Sequence, residues 1–146
     1  MPAHFFLDAI EIDYSTAIQA NISKQDYTVV PRYWYVDTYF RCSDCACDYV
    51  WSALEQKEWF ETYEFYVDAR PGQCRGCRAK RRDAIQLRKE YDALVGSARD
   101  GGTAEQKRQI VELIDELEGY LNVVPERMRE TRARLQRQLS AEDTCQ

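Results

Sequence analysis

Four cysteines stand in two pairs of equal spacing, Cys42-x-x-Cys45 and Cys74-x-x-Cys77. Two residues between thiols let both sulfurs converge on one ion while backbone N–H groups of the turn point at them. Two such knuckles supply the soft ligands of a closed tetrahedral Zn²⁺ site, with Zn–S of about 2.3 Å. The 28 residues between the pairs exceed the roughly 15–20 of the common pattern, and a helix expected over about 53–63 takes up the excess. Four thiolates saturate the ion, so such a site holds structure and does not generate hydroxide. In a segment with little core of its own, metal-binding energy is largely folding energy. Metal-free structural thiols are the competing reading. A redox CxxC needs one pair in a thioredoxin-like βαβ frame, which the sequence does not show.

Cys47 is a third thiol two residues past Cys45. The expectation is a small, partly buried side chain outside the ligand set; a substitute ligand or a redox-sensing thiol are the alternatives. A zinc ion with four thiolates carries a net charge of about −2, which Arg41, Arg75 and Arg78 beside the ligands can offset. The same stretch supports a second use. Arg75, Arg78, Lys80, Arg81 and Arg82, with the arginine-rich stretch 127–137, form two basic patches able to contact nucleic-acid phosphates, and tyrosines among 33–39 could stack on bases.

The net charge of −5 weakens a generic polyanion-binding reading. Residues 1–41 carry three basic and five acidic side chains, residues 42–77 three and seven, and residues 78–146 fourteen and thirteen. The start, MPAHFFLDAIEID, lacks the basic region of a signal peptide, and no apolar run approaches the roughly 18–20 residues of a membrane span. The cytoplasm is therefore the expected compartment, where thiol pools disfavour disulfides and clustered cysteines read first as metal ligands.

The elements that must position these groups follow from pattern. Residues 1–30 show neither helical nor strand period and are expected to form a short helix or irregular arm. The aromatic and β-branched run from Pro31 gives strands near 33–41 and 48–51 with the first knuckle at the turn between them. Ser52 and Glu55 read as a capping box for a helix placing Leu54, Trp59 and Phe60 over the metal unit. PGQCRGC is a turn running into the second knuckle, and the pattern is helical from 78. Ala84, Leu87, Tyr91 and Leu94 mark one helix ending at Gly96 and Gly101–Gly102. Thr103 and Gln106 cap a second helix with Ile110, Leu113, Ile114, Leu117 and Leu121. Pro125 opens a third with a thinner stripe of Met128, Leu135 and Leu139. The expected organisation is an arm at 1–30, a zinc-ribbon-like unit at 31–82, a helical hairpin or coiled-coil-like tail at 83–142, and a frayed end at 143–146, within a tail fraying from Ser140 and including Cys145. The class is α+β: short antiparallel strands, a four-cysteine zinc site, one covering helix, then the helical tail.

Several of these residues resemble a bacterial family known as the probable zinc-ribbon domain. The likeness runs through Pro31-Arg32-Tyr33, Tyr35-Val36-Asp37, Cys42-x-x-Cys45, Val50-Trp51, Gln56-Lys57, Trp59-Phe60 and Cys74-Arg75-Gly76-Cys77-Arg78, about a third of the chain. It implies a zinc-ribbon-like fold with zinc at Cys42, Cys45, Cys74 and Cys77, and no activity. Where a glycine commonly follows the first knuckle, this chain has Ala46.

Nothing in the sequence assembles a catalyst. His4, the one histidine, lacks an obvious partner, and Glu55, Glu58, Glu61 and Glu64 at i, i+3 spacing read as a solvated helix face. No glycine loop has the form of a phosphate cradle, and no small-molecule substrate is indicated. The expected function is a zinc-stabilised interaction module whose tail docks a protein partner or a second copy; the alternative is a nucleic-acid-binding protein.

Overall fold

The run from Trp34 to Arg41 becomes the central strand of a three-stranded antiparallel sheet, β1 (Glu11–Gln19), β2 (Trp34–Arg41) and β3 (Asp48–Trp51), in the order β1-β2-β3. The computed structural model describes residues 1–99 and 101–144, in two units, Met1–Arg78 and Ala79–Gln146.

β1 corrects the expectation for residues 1–30, which hold a nine-residue strand flanked by 3₁₀ turns at Ala3–Phe6 and Ile22–Lys24. Its period-2 signal is broken by a bulge. Asp13 pairs with Asp37, but Ile18 pairs with Tyr35, so five steps along β1 match two along β2. The bulge satisfies itself through side chains: Ser15 donates its N–H and hydroxyl to the Asp13 carboxylate, and the Thr16 hydroxyl accepts the Asp37 N–H at 2.8 Å. The strand therefore shows no alternation over its middle.

Helix α1 (Ala53–Lys57) runs into a π-type turn at Glu58–Thr62. The Ser52 hydroxyl caps it by accepting the Glu55 N–H at 3.2 Å. The reciprocal half of the expected capping box is not made, because the Glu55 carboxylate takes Arg78 at 2.7 Å instead. Asp37 accepts the Ala53 N–H at 2.7 Å and supplies a further cap. Tyr35, Phe40, Trp51, Ala53 and Phe60 form the core of this unit. Leu54, expected to cover the metal unit, is 71% exposed; the aromatic cover comes from Trp59 and Phe60, both edge-on to Trp51.

Arg32 is buried with its guanidinium over the rings of Phe5 (4.2 Å) and Phe60 (4.7 Å), and its Nε donates to the Val67 carbonyl. Burial lowers its pKa to about 10 against the opposing pull of Asp68, so it stays charged at neutral pH.

In the second unit, α2 (Arg75–Arg99), α3 (Ala104–Leu121) and α4 (Glu126–Thr144) supply the helices. α2 begins within the first unit and starts earlier than residue 78. It also passes through Gly96, where an interior glycine costs about 1 kcal/mol without ending the helix. The left-handed Gly101 (φ +102°) lies in the following turn. The Thr103–Gln106 capping box forms in both directions. Ala84, Tyr91 and Ala98 of α2 pack with Ile110, Leu113, Ile114 and Leu117 of α3 and with Val124, Met128 and Leu135. The third stripe thus completes a core within the unit. Instead of fraying from Ser140, α4 stays helical to Thr144, with Glu142 paired to the largely buried Lys107. Cys145 lies outside the described residues. No helix among them is long and apolar enough to cross a membrane.

Gln56 joins the elements of the first unit. Its buried amide donates to the carbonyls of Val36 (2.6 Å) and Trp51 (2.8 Å). Gln56→Leu removes the donors and leaves two carbonyls unsatisfied, so a loss of about 2 kcal/mol is expected. It should appear as a lower urea midpoint of the metal-loaded protein, and an unchanged midpoint would show the amide to be dispensable.

Candidate metal centre

The first knuckle is the reversal between β2 and β3. The Cys42 N–H donates to the Cys47 carbonyl (2.8 Å) and the Ala46 N–H to the Cys42 carbonyl (3.0 Å), which folds Cys45 back beside Cys42. Ala46 adopts the left-handed conformation, φ +59°. The turn thus needs a backbone that glycine supplies without strain, which accounts for the glycine of the resembling pattern. The second knuckle opens α2, with Cys74 just before the helix and Cys77 in its first turn. Ser43 N–H to the Gly72 carbonyl, 3.0 Å, ties the two loops together.

The Sγ atoms of Cys42, Cys45, Cys74 and Cys77 all lie within 4.8 Å of one another. Cys45 and Cys74 are 3.8 Å apart, the edge of a tetrahedron with arms of about 2.3 Å. The Cys74 N–H points at Cys42 Sγ (3.2 Å) and the Cys77 N–H at Cys74 Sγ (3.4 Å). Burial opposes ionisation of Cys42, but N–H groups of Cys45, Cys74 and Asp44 outweigh it and bring the thiol down to about 6. Cys77 is pushed up to about 12, chiefly by its contact with the Cys74 thiol, with burial adding to it. One thiolate is favoured and the next is resisted, which is how crowded sulfurs behave before a cation takes the place of their protons. The donor set and its spacing fit a metal ion with every coordination position filled by protein.

Cys47 is exposed and outside the cluster, not partly buried. Two of the three expected charge compensators are engaged elsewhere: Arg41 bonds Asp48, and Arg78 bonds Glu55 while lying over the Trp59 ring. Arg75 is exposed in the first unit, and Lys80, Arg81 and Arg82 are exposed in the second. Of the tyrosines offered for stacking, Tyr33 is exposed, Tyr39 is half-buried, and Tyr35 is buried in the core. His4 does have a partner, Asp68 at 3.1 Å. The glutamate row is not uniformly solvated: Glu55 holds Arg78, and Glu61 holds Lys57 and the Asn21 N–H. Sequence reasoning gave no role to Gln25, which clasps the Arg32 backbone through both amide atoms and donates to the Tyr35 hydroxyl. Its flanking residues carry no periodic signal that could have marked it.

A short antiparallel sheet, a helix and four converging cysteines define a small metal-binding domain of α+β class, followed by helices. Residues 36–86 match the family described as "Probable treble clef domain", which covers both CxxC pairs. The resemblance drawn from the motif residues falls on the same cysteines. Comparison with curated proteins and with solved structures finds no significant match.

Two outcomes test the centre. Cys47→Ser should retain a full metal equivalent by elemental analysis, whereas Cys45→Ser should lose it together with the near-UV signal of the tryptophans; equal loss in both would overturn the ligand assignment. Ala46→Gly relieves the left-handed strain and should raise stability by up to about 1 kcal/mol, less the entropy glycine adds to the unfolded chain. Denaturant titration of the loaded protein reads this, and a drop in midpoint would contradict it.

Proposed function

We propose that this chain is a non-catalytic, zinc-stabilised interaction protein whose helical unit docks a protein partner or a second copy. The observation that carries it is the closed cysteine tetrad: four thiolates suit Zn²⁺ and leave it no position for water or substrate. Cys42, Cys45, Cys74 and Cys77 hold the ion, which supplies cross-linking of two loops. The reducing cytoplasm, where thiols stay available as ligands, is its proposed compartment. The leucine stripes of the tail are consumed in its own core, so docking falls to apolar residues left outside, Leu121 and Val123 among them.

A second reading rests on a separate observation. Lys80, Arg81, Arg82, Arg127, Arg129 and Arg137 are exposed and enter no ion pair among the described residues, leaving them free for nucleic-acid phosphates.

Freshly reduced protein should contain one zinc equivalent, and less than half an equivalent would count against the zinc assignment. Leu121→Ser with Val123→Ser should lower the solution mass by light scattering if a second copy docks, or abolish recovery of a co-purified protein if a partner does. No change in either removes the helical docking surface. Binding to DNA or RNA that weakens steeply with salt, and less steeply in Lys80→Gln/Arg81→Gln/Arg82→Gln, would favour the second reading.

A further inference from the structure

The first unit presents a second, unassigned surface directly after the π-type turn. Residues Thr62–Tyr66 are all exposed, and three of the five are aromatic: Tyr63 (55%), Phe65 (45%) and Tyr66 (40%). Tyr63 and Phe65 lie with ring centroids 5.8 Å apart, and Phe65 stands edge-on to Trp59 at 5.1 Å. Tyr66 is tied to the neighbouring loop by its bridge to Asp26 and by its hydroxyl on Thr28 at 3.0 Å, close in sequence to the exposed Tyr27 and Val29. The patch is braced: the Phe65 N–H donates to the Trp59 carbonyl and the Val67 N–H to that of Asp26. Exposed rings gathered in one short loop, two of them in contact, offer an interaction surface.

The charge around it selects the partner. Glu58 and Glu64 meet no cation among the described residues, and the Glu58 carboxylate receives the Tyr63 hydroxyl at 3.2 Å, which raises the Tyr63 pKa. The first unit carries seven basic and twelve acidic side chains, the second thirteen of each, so the whole net charge of −5 sits in the first unit. Phosphate polyanions and anionic lipid surfaces are repelled there.

The same unit shows which cation such a surface accepts. Arg78 lies over the Trp59 ring with Glu55 on its guanidinium. The exposed patch offers the same combination without an arginine, with the Glu58 carboxylate on the Tyr63 hydroxyl and Glu64 next in the chain to Tyr63 and Phe65. We propose that Tyr63, Phe65 and Tyr66, with Glu58 and Glu64, dock an arginine-bearing segment of a partner polypeptide. Arginine suits it better than lysine because its planar, weakly hydrated guanidinium stacks on rings while still donating to a carboxylate. This surface shares no residue with the helical docking face, so either can fail alone.

The test uses the full, zinc-loaded chain with fluorescein-labelled deca-arginine in anisotropy titrations at low salt. Deca-arginine should bind more tightly than deca-lysine, and free arginine should compete only weakly. Tyr63→Leu with Phe65→Leu keeps apolar bulk but removes the ring faces, and should weaken binding about tenfold. Glu58→Gln with Glu64→Gln should weaken it about as much. Glu11→Gln, an acid removed elsewhere in the unit, and Leu121→Ser/Val123→Ser in the helical unit should leave it unchanged. Zinc content verifies that each variant is folded. Equal weakening by Glu11→Gln would reduce the effect to net charge and overturn the site, as would full affinity in the leucine variants or no binding at all. Self-association lost in Tyr63→Leu/Phe65→Leu would overturn the separate partner in favour of a second copy.

Discussion

The first unit depends on holding four thiol sulfurs within 4.8 Å of one another. Sulfurs so close resist ionising together, because each thiolate repels the next. A metal ion held there would remove that conflict and turn it into attraction, joining a strand reversal to a helix start across 28 intervening residues. The unit has an aromatic core of its own, and an ion held by the four thiolates would add a cross-link whose binding energy counts toward folding.

Around that clamp, polar groups do work usually assigned to apolar packing. Gln56 bonds carbonyls of Val36 and Trp51, Asp37 caps α1, and Arg32 lies between rings with its Nε on Val67. Each satisfies backbone groups that the sheet ladder and helix leave without partners. These are the residues that accompany the cysteines in the family resemblance. In this chain they hold the scaffold.

Local chemistry was readable where one residue type dictates geometry. Both CxxC pairs, the strands flanking the first, the Ser52 and Thr103 caps and most of the stripes of the helical unit stand as the sequence implied, although Leu121, expected in the second stripe, is exposed at the helix end. Signals failed where a long-range partner overrides a local preference. The β1 alternation is hidden by a bulge whose side chains replace ladder bonds. Glu55 leaves its box for Arg78, 23 residues away. His4 finds Asp68, 64 residues away, and Gly96 is carried inside a helix that its neighbours stabilise.

The sequence by itself determined the ligand types and their spacing, because a thiol's affinity for soft metals and the reach of a two-residue turn are local properties. It also determined that the tail is helical, since the apolar period and the Thr103–Gln106 box are written in adjacent residues. Only the tertiary structure decided that Cys47 stays exposed, which arginines remain free, and which aromatic rings stay at the surface. Those outcomes depend on distances between segments far apart in the chain, and on competition among several carboxylates for each cation. No local pattern encodes either.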